Sequence, residues 1–171
     1  MEARRMSIIR RAVAGMCLSA AGLSMIANWE GFSPTAYIPV PGDVPTIGFG
    51  STSGVKMGDT ITVPEALNRL MRDAEKHESA IHKCVKVPLS QGEYDAFVSL
   101  AYNIGEAQFC ASTAVKRVNQ GDYEGACEAL KMFRGHWLRR PDGTKIRFEV
   151  VPGLVNRREA EYLTCTQGHE K

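Results

Sequence analysis

Charge imbalance is nearly absent from this chain: 21 Lys and Arg against 19 Asp and Glu leave a formal charge of +2 and a pI near 8.3. So weak a basic balance gives no footprint for nucleic acid and supports only a loose preference for anionic surfaces. A metal-ligand cluster is also missing. His77, His82, His136 and His169 are scattered, and the step from His77 to His82 does not put both rings on one helical face. GFGSTSG is glycine-rich but lacks the Gly-Lys-Ser/Thr close of a phosphate loop, so tight turns explain its glycines better. No Ser or Cys has the partner set of an activated nucleophile. Internal repeats and low-complexity tracts are absent, and no cofactor is called for.

What is present is 171 residues with 44% apolar content, enough to bury a core in one domain with room for two lobes. Arg4, Arg5, Arg10 and Arg11 precede AVAGMCLSAAGLSMIANW, which carries no charge from Ala12 to Trp29. That is the arrangement of an export signal. A spanning helix needs about 20 apolar residues; this stretch is marginal in length and diluted by Gly15, Ser19, Gly22, Ser24 and several alanines. Two readings stand: a helix that enters a bilayer and later leaves it, or a cleaved signal peptide with Ser19 and Ala21 flanking the cut. Five cysteines in so short an exported chain predict an oxidising compartment. Cys84, Cys110, Cys127 and Cys165 lie outside the leader and predict two disulfides, whose pairing spacing alone leaves open. Cys17, inside the leader, is either a small hydrophobe or a redox-sensitive switch.

Gly31 and Pro34 stop the apolar helix, which places Glu30 on its last turn. From Tyr37 to Thr62 short β-branched or aromatic pieces alternate with Pro41-Gly42, Gly48, Gly50, Gly54 and Gly58, the composition of a small antiparallel sheet with tight turns. Thr62 and Glu65 have capping-box spacing, with Pro64 near the entrance, before a helix striped by Leu67, Leu70, Met71, Ala74 and Ile81. Ser90 opens a second helix, in which Tyr94, Phe97, Val98, Ala101 and Tyr102 form a core face and which Gly105 ends. Ser112, Asp122 and Asn156 begin later helices, and RRPDGTKIRFEVVPG reads as a looped excursion. The pattern is α+β: an N-terminal apolar helix, a small antiparallel β-hairpin lobe and a larger helical lobe. Residues 1–29 form the leader, which merges into the helix ending at Glu30, and residues 30–171 form the folded domain.

Within NWEGFSPTAYIPVPGDVPTIGFG, Glu30 and Asp43 are candidates for one acid/base site. Trp29, Met25 and Ile26 predict an apolar setting that disfavours the charged form of Glu30, while Asp43 in a turn stays ionised through solvent and backbone donors. Helix end and hairpin loop then face each other across a cleft, and Thr46, closing the loop, offers a hydroxyl that orients a water. Two carboxylates that titrate apart are what hydrolysis of a glycosidic bond requires.

The frame around these residues, WEGFSPTAY…GDVPTIGFGST, resembles the catalytic signature of the phage-type lysozymes, the endolysin family. PLSQGEYDAFVSLAYNIG resembles that family's central buried helix, ASTAVKRVNQGDY its next helix and turn, and GLVNRREAEYLTC its terminal Arg-Arg-Glu helix. The resemblance implies a lysozyme-like fold, Glu30 as general acid, Thr46 positioning the attacking water, and inversion at the bond between N-acetylmuramic acid and N-acetylglucosamine of peptidoglycan. The family commonly has its aspartate two residues after the Tyr, where this chain has Pro39; the loop's only acid is Asp43, to which the base or electrostatic role is carried. The resemblance also implies a Cys127–Cys165 disulfide, which leaves Cys84 with Cys110. The leader resembles the signal-anchor-release segment of certain endolysins, which implies a monomer held inactive at the periplasmic face of the host inner membrane and later released to the periplasm. Two rivals remain. A non-catalytic wall-binding or assembly protein on the same fold finds its support in Pro39. A small membrane-active lysis protein is opposed by the long globular half. The basic set Arg134, Arg139, Arg140, Lys145 and Arg147 either touches anionic wall polymer or is a solvated face.

Overall fold

The computed structural model describes residues 8–167 and residue 169; Arg4 and Arg5 of the leader lie outside them. The leader is not the continuous helix expected from Ala12 to Trp29. Val13–Gly15 makes a single 3-10 turn, Met16 and Ser19 are extended, and α1 spans only Ala20–Glu30. The reason lies in where the backbone donors go. Leu18 N–H donates to Glu78 at 2.5 Å and Ser19 N–H to Asp95 at 3.0 Å, so carboxylates of the helical lobe satisfy groups that a longer helix would pair internally. Ser19 Oγ then accepts from Gly22 N–H and caps α1. Among the described residues no helix is long and apolar enough to cross a membrane.

Arg11 and Leu89 exchange backbone hydrogen bonds of 2.7 and 2.9 Å, and Val13, Met16, Ile26 and Ala27 enter the same apolar core as the later helices. The small lobe is built from β1 (Ser33–Tyr37) and β2 (Thr46–Gly48), paired antiparallel, with isolated bridges Thr35–Thr60 and Ile47–Ser51. Ala36, Ile47 and Val55 form its own small core. The long helix α2 (Val63–Cys84) joins the lobes and begins at the Thr62/Glu65 capping box. Next comes α3 (Gln91–Ile104), capped by Ser90 and ended by Gly105 at φ +84°. Tyr94, Phe97, Val98 and Ala101 are fully buried, but so are Glu93 and Ser99, and Asp95 nearly so. Two glycines allow neighbours to approach α3: a Cβ on Gly22 of α1 would lie 2.7 Å from Asp95 Cγ, and one on Gly92 would overlap the Thr164 carbonyl.

The short α4 (Glu106–Cys110), α5 (Thr113–Asn119) and α6 (Tyr123–Leu130) follow, the last two capped by Ser112 and Asp122. The stretch expected as a loop is instead a hairpin of β3 (Gly135–Arg139) and β4 (Lys145–Val150), with Trp137 opposite Phe148 and their rings 5.6 Å apart. An aromatic cross-strand pair of this kind stabilises a ribbon that its arginines and glycines made look irregular. The final helix, α7 (Pro152–Cys165), starts before the expected Asn156, because Pro152 occupies a first-turn position where no N–H is needed. Disulfides join Cys84 to Cys110 and Cys127 to Cys165, the pairing implied by the resemblance, and Cys17 is free and exposed.

Candidate active site

Glu30 is the last residue of α1, and Gly31 turns the chain away at φ +70°. Its side chain is 23% exposed, and its Oε1 accepts a 2.8 Å hydrogen bond from Nη1 of Arg157, whose side chain is 5% exposed. The setting expected from Trp29, Met25 and Ile26 was apolar; the structure instead supplies a cation from α7. Arg157 is shared. Its Nε donates to Glu161 Oε1 at 3.3 Å and its Nη2 to the Ser99 carbonyl at 3.4 Å. The same Glu161 oxygen accepts from Ser99 Oγ at 2.6 Å and Arg158 Nη2 at 2.8 Å. Glu161 and Arg158 are essentially inaccessible to solvent. Burial pushes the Glu161 carboxyl up from its ordinary value, opposed by Arg158, Ser99 and Arg157.

The small lobe closes on the other side of Glu30. Ile47 and Ser51 pair across the turn that follows β2, and Gly50 in that turn, at φ +86°, is so placed that a Cβ would lie 3.6 Å from Glu30 Oε2. Tyr102, at the end of α3, donates its hydroxyl to the Phe49 carbonyl at 3.5 Å. Burial, with the nearby charges of Glu30 and Asp73, pushes that hydroxyl up, so it stays a protonated donor. Asp73 on α2 accepts from Ser51 Oγ and Lys76 Nζ, each at 2.7 Å. Burial works to raise the Asp73 carboxyl, but these hydrogen bonds outweigh it and hold the group below its ordinary value.

Thr46 opens β2 and is 6% exposed; its hydroxyl donates to the Val44 carbonyl at 3.2 Å, which leaves oxygen lone pairs for another donor. Asp43 lies in the exposed loop between β1 and β2, where its Oδ1 accepts from Val44 N–H at 2.8 Å. Glu30 and the turn reached from Thr46 are thus neighbours, whereas Asp43 makes no hydrogen bond to either. Sequence reasoning missed Arg157, Tyr102 and Glu161. A signal was available: Arg157, Arg158 and Glu161 occupy positions that a helix packed against α3 would otherwise fill with apolar residues. Tyr102 was grouped with the core face but is only half-buried.

A hollow of about 620 Å³ lies between the end of α3 and the β3–β4 hairpin, lined by Asn103, Gln108, Trp137, Arg139 and Phe148 among others. Arg134, Arg139, Arg140, Lys145 and Arg147 are all exposed, the last four on the hairpin or its turn. Among the described residues no group of three or more His, Cys, Asp or Glu side chains could hold a metal ion.

Comparison with known proteins places these features in a family. The family described as Phage lysozyme matches residues 27–161. A SAR-endolysin of Pseudomonas phage phiKMV is 38% identical over 148 residues, 86% of this chain and 88% of that protein. Among solved structures, an endolysin from Escherichia coli O157:H7 phage FAHEc1 superposes with a TM-score of 0.76 at 36% identity, covering 91% of this chain and 95% of that one. The muramidase domain of SpmX from Asticaccaulis excentricus superposes with a TM-score of 0.78 at 29% identity, covering 86% and 96%.

Proposed function

Because this chain belongs to the phage lysozyme family, a family of glycoside hydrolases acting on peptidoglycan, we propose that it is an endolysin cleaving the β-1,4 bond between N-acetylmuramic acid and N-acetylglucosamine. Glu30 is the general acid and delivers its proton to the leaving glycosidic oxygen. A water oriented by the Thr46 hydroxyl attacks the opposite face of the sugar, with Asp43 as base or as the anion facing the developing cation, and the anomeric configuration inverts. The observation that carries this reading is the position of Glu30: it ends a capped helix, is braced from behind by Arg157, and has its second oxygen towards the turn of the small lobe.

Residues 1–29 hold the newly made protein at the periplasmic face of the host inner membrane, and residues 30–171 are the catalytic part, released as a monomer into the periplasm. The two states exclude each other. Val13, Met16 and Ile26 cannot lie among lipid tails while filling the core that supports α1, so the anchored protein lacks a seated Glu30.

Turbidity loss of permeabilised Gram-negative cells tests both points. Glu30→Gln is expected to lose about 10²- to 10⁴-fold in rate, the scale of general acid catalysis, with Asp43→Asn also impaired. Wild-type protein in the soluble fraction should clear walls while the membrane fraction does not. An unchanged Glu30→Gln rate ends the glycosidase reading, equal specific activity in both fractions ends the anchoring reading, and an inert wild type favours a wall-binding protein.

A further inference from the structure

A general acid must keep its proton until the leaving group needs it, and opposite charges nearby in general favour a carboxyl's ionised form. Glu30 faces the Arg157 guanidinium at 2.8 Å. The other neighbours do not cancel it. Tyr102 on α3 is a neutral phenol, Asp73 on α2 is paired with Lys76 and Ser51, and the turn at residues 48–50 carries no ionisable side chain. What remains is the far side of Arg157 itself. There Glu161, one turn along α7, takes Arg157 Nε at 3.3 Å, and it sits between two guanidiniums with three side-chain donors on one oxygen. Its other oxygen, and Nε and Nη1 of Arg158, have no partner among the described residues. A buried ionic cluster with unused hydrogen-bonding capacity is a weak way to hold two helices together. It does put a second carboxyl on the guanidinium that holds Glu30.

We propose that Glu161 is a positioning residue for the acid Glu30: it divides the Arg157 guanidinium between two carboxylates and so lets Glu30 hold its proton at working pH. Arg158 is the counterweight, because it draws on the Glu161 charge at 2.8 Å and limits how far Glu161 can claim Arg157. Both consequences have a definite sign. With Glu161 neutralised, Arg157 turns wholly to Glu30 and a like charge disappears, so Glu30 gives up its proton at lower pH. With Arg158 neutralised and Glu161 still ionised, Glu161 acts on Arg157 undiminished, so Glu30 keeps its proton to higher pH.

The catalytic importance of this rests on the glycosidase reading; the electrostatics does not, and the experiment separates them. In full-length protein carrying 13C-carboxyl glutamate, the Glu30 resonance is assigned by its loss in Glu30→Gln and followed through a pH titration. Relative to wild type, Glu161→Gln should lower the Glu30 midpoint by about one pH unit and Arg158→Gln should raise it by several tenths, with the alkaline limb of wall clearing moving in step. A purely structural role would unpair buried charge in both variants and disturb the site in the same sense. Midpoints that stay put, or that move together, overturn the proposal. If Glu161→Gln fails to fold, Arg158→Gln decides alone, read at a pH where the Glu161 carboxyl resonance shows it ionised: a Glu30 midpoint at or below that of wild type overturns it. Opposite shifts in a protein that clears no walls would leave the coupling intact and sink the glycosidase reading.

Discussion

Arg157 is the residue on which the site turns. One guanidinium serves Glu30 through Nη1, Glu161 through Nε and the Ser99 carbonyl through Nη2, a three-way fork that only a planar, rigid donor set can make. An ammonium on a flexible stem reaches one or two of these acceptors. Arg157→Lys is therefore expected to leave a buried acceptor unpaired and to lower unfolding free energy by about 1 to 3 kcal/mol in urea titration, with wall clearing reduced. Wild-type stability and rate in this variant would show that the fork is unimportant. Asp43 contrasts with it. Its carboxylate is tied to its own turn, so whatever it contributes to the chemistry it contributes from an exposed loop.

At the scale of the element, α1 matters most, because it spans only 11 residues and Glu30 is its last. Its first turn is held in two ways: Ser19 Oγ accepts from Gly22 N–H at 3.1 Å and donates to Asp95 at 2.5 Å, while Gly22 lets α1 and α3 pack closely. Ser19→Ala removes the cap and strips one donor from a buried carboxylate. We expect it to cost about 1 to 2 kcal/mol and to speed hydrogen exchange in the first turn of α1 before other helices are affected. Unchanged exchange there would mean that Ser19 is not what fixes the helix.

For the whole molecule, the decisive feature is that the apolar leader is part of the helical lobe. Glu93, with a side chain 1% exposed, gathers Arg10 Nη2 at 2.6 Å, His169 at 2.7 Å and Ser90 N–H at 2.7 Å, and so ties the leader, α3 and the C-terminal end of the chain at one point. Burial works to raise the Glu93 carboxyl, but the bonds from Arg10, Ser90 and His169 prevail and hold it below its ordinary value. A carboxyl lowered in the folded state contributes stability that is fully present above its unfolded value, about 4.3, and is lost as pH falls through the folded value. Thermal stability should therefore be level near neutrality and fall below about pH 4, and Glu93→Gln should be less stable at pH 7 with a shallower acid slope. An identical acid slope in the variant would remove Glu93 from the account.

Much of this was legible in the residues themselves. Thr62 with Glu65, Ser90 with Gly105, and the Ser112 and Asp122 caps mark helices because capping is chemistry between residues a few places apart, and the structure has those helices. Glu30 at a helix end followed by Gly31 was readable for the same reason. The break of the leader into a 3-10 turn and a short helix was hidden because the partners of its backbone donors are distant: Glu78 and Asp95 lie more than 50 residues further along the chain. The β3–β4 hairpin was hidden because its stability comes from cross-strand pairs, which local periodicity does not register. Local sequence thus determined where most helices start and stop and which carboxylate ends the first. Only the tertiary structure decided that this carboxylate meets Arg157, 127 residues further on, since long-range ion pairs depend on how helices pack and not on any spacing along the chain.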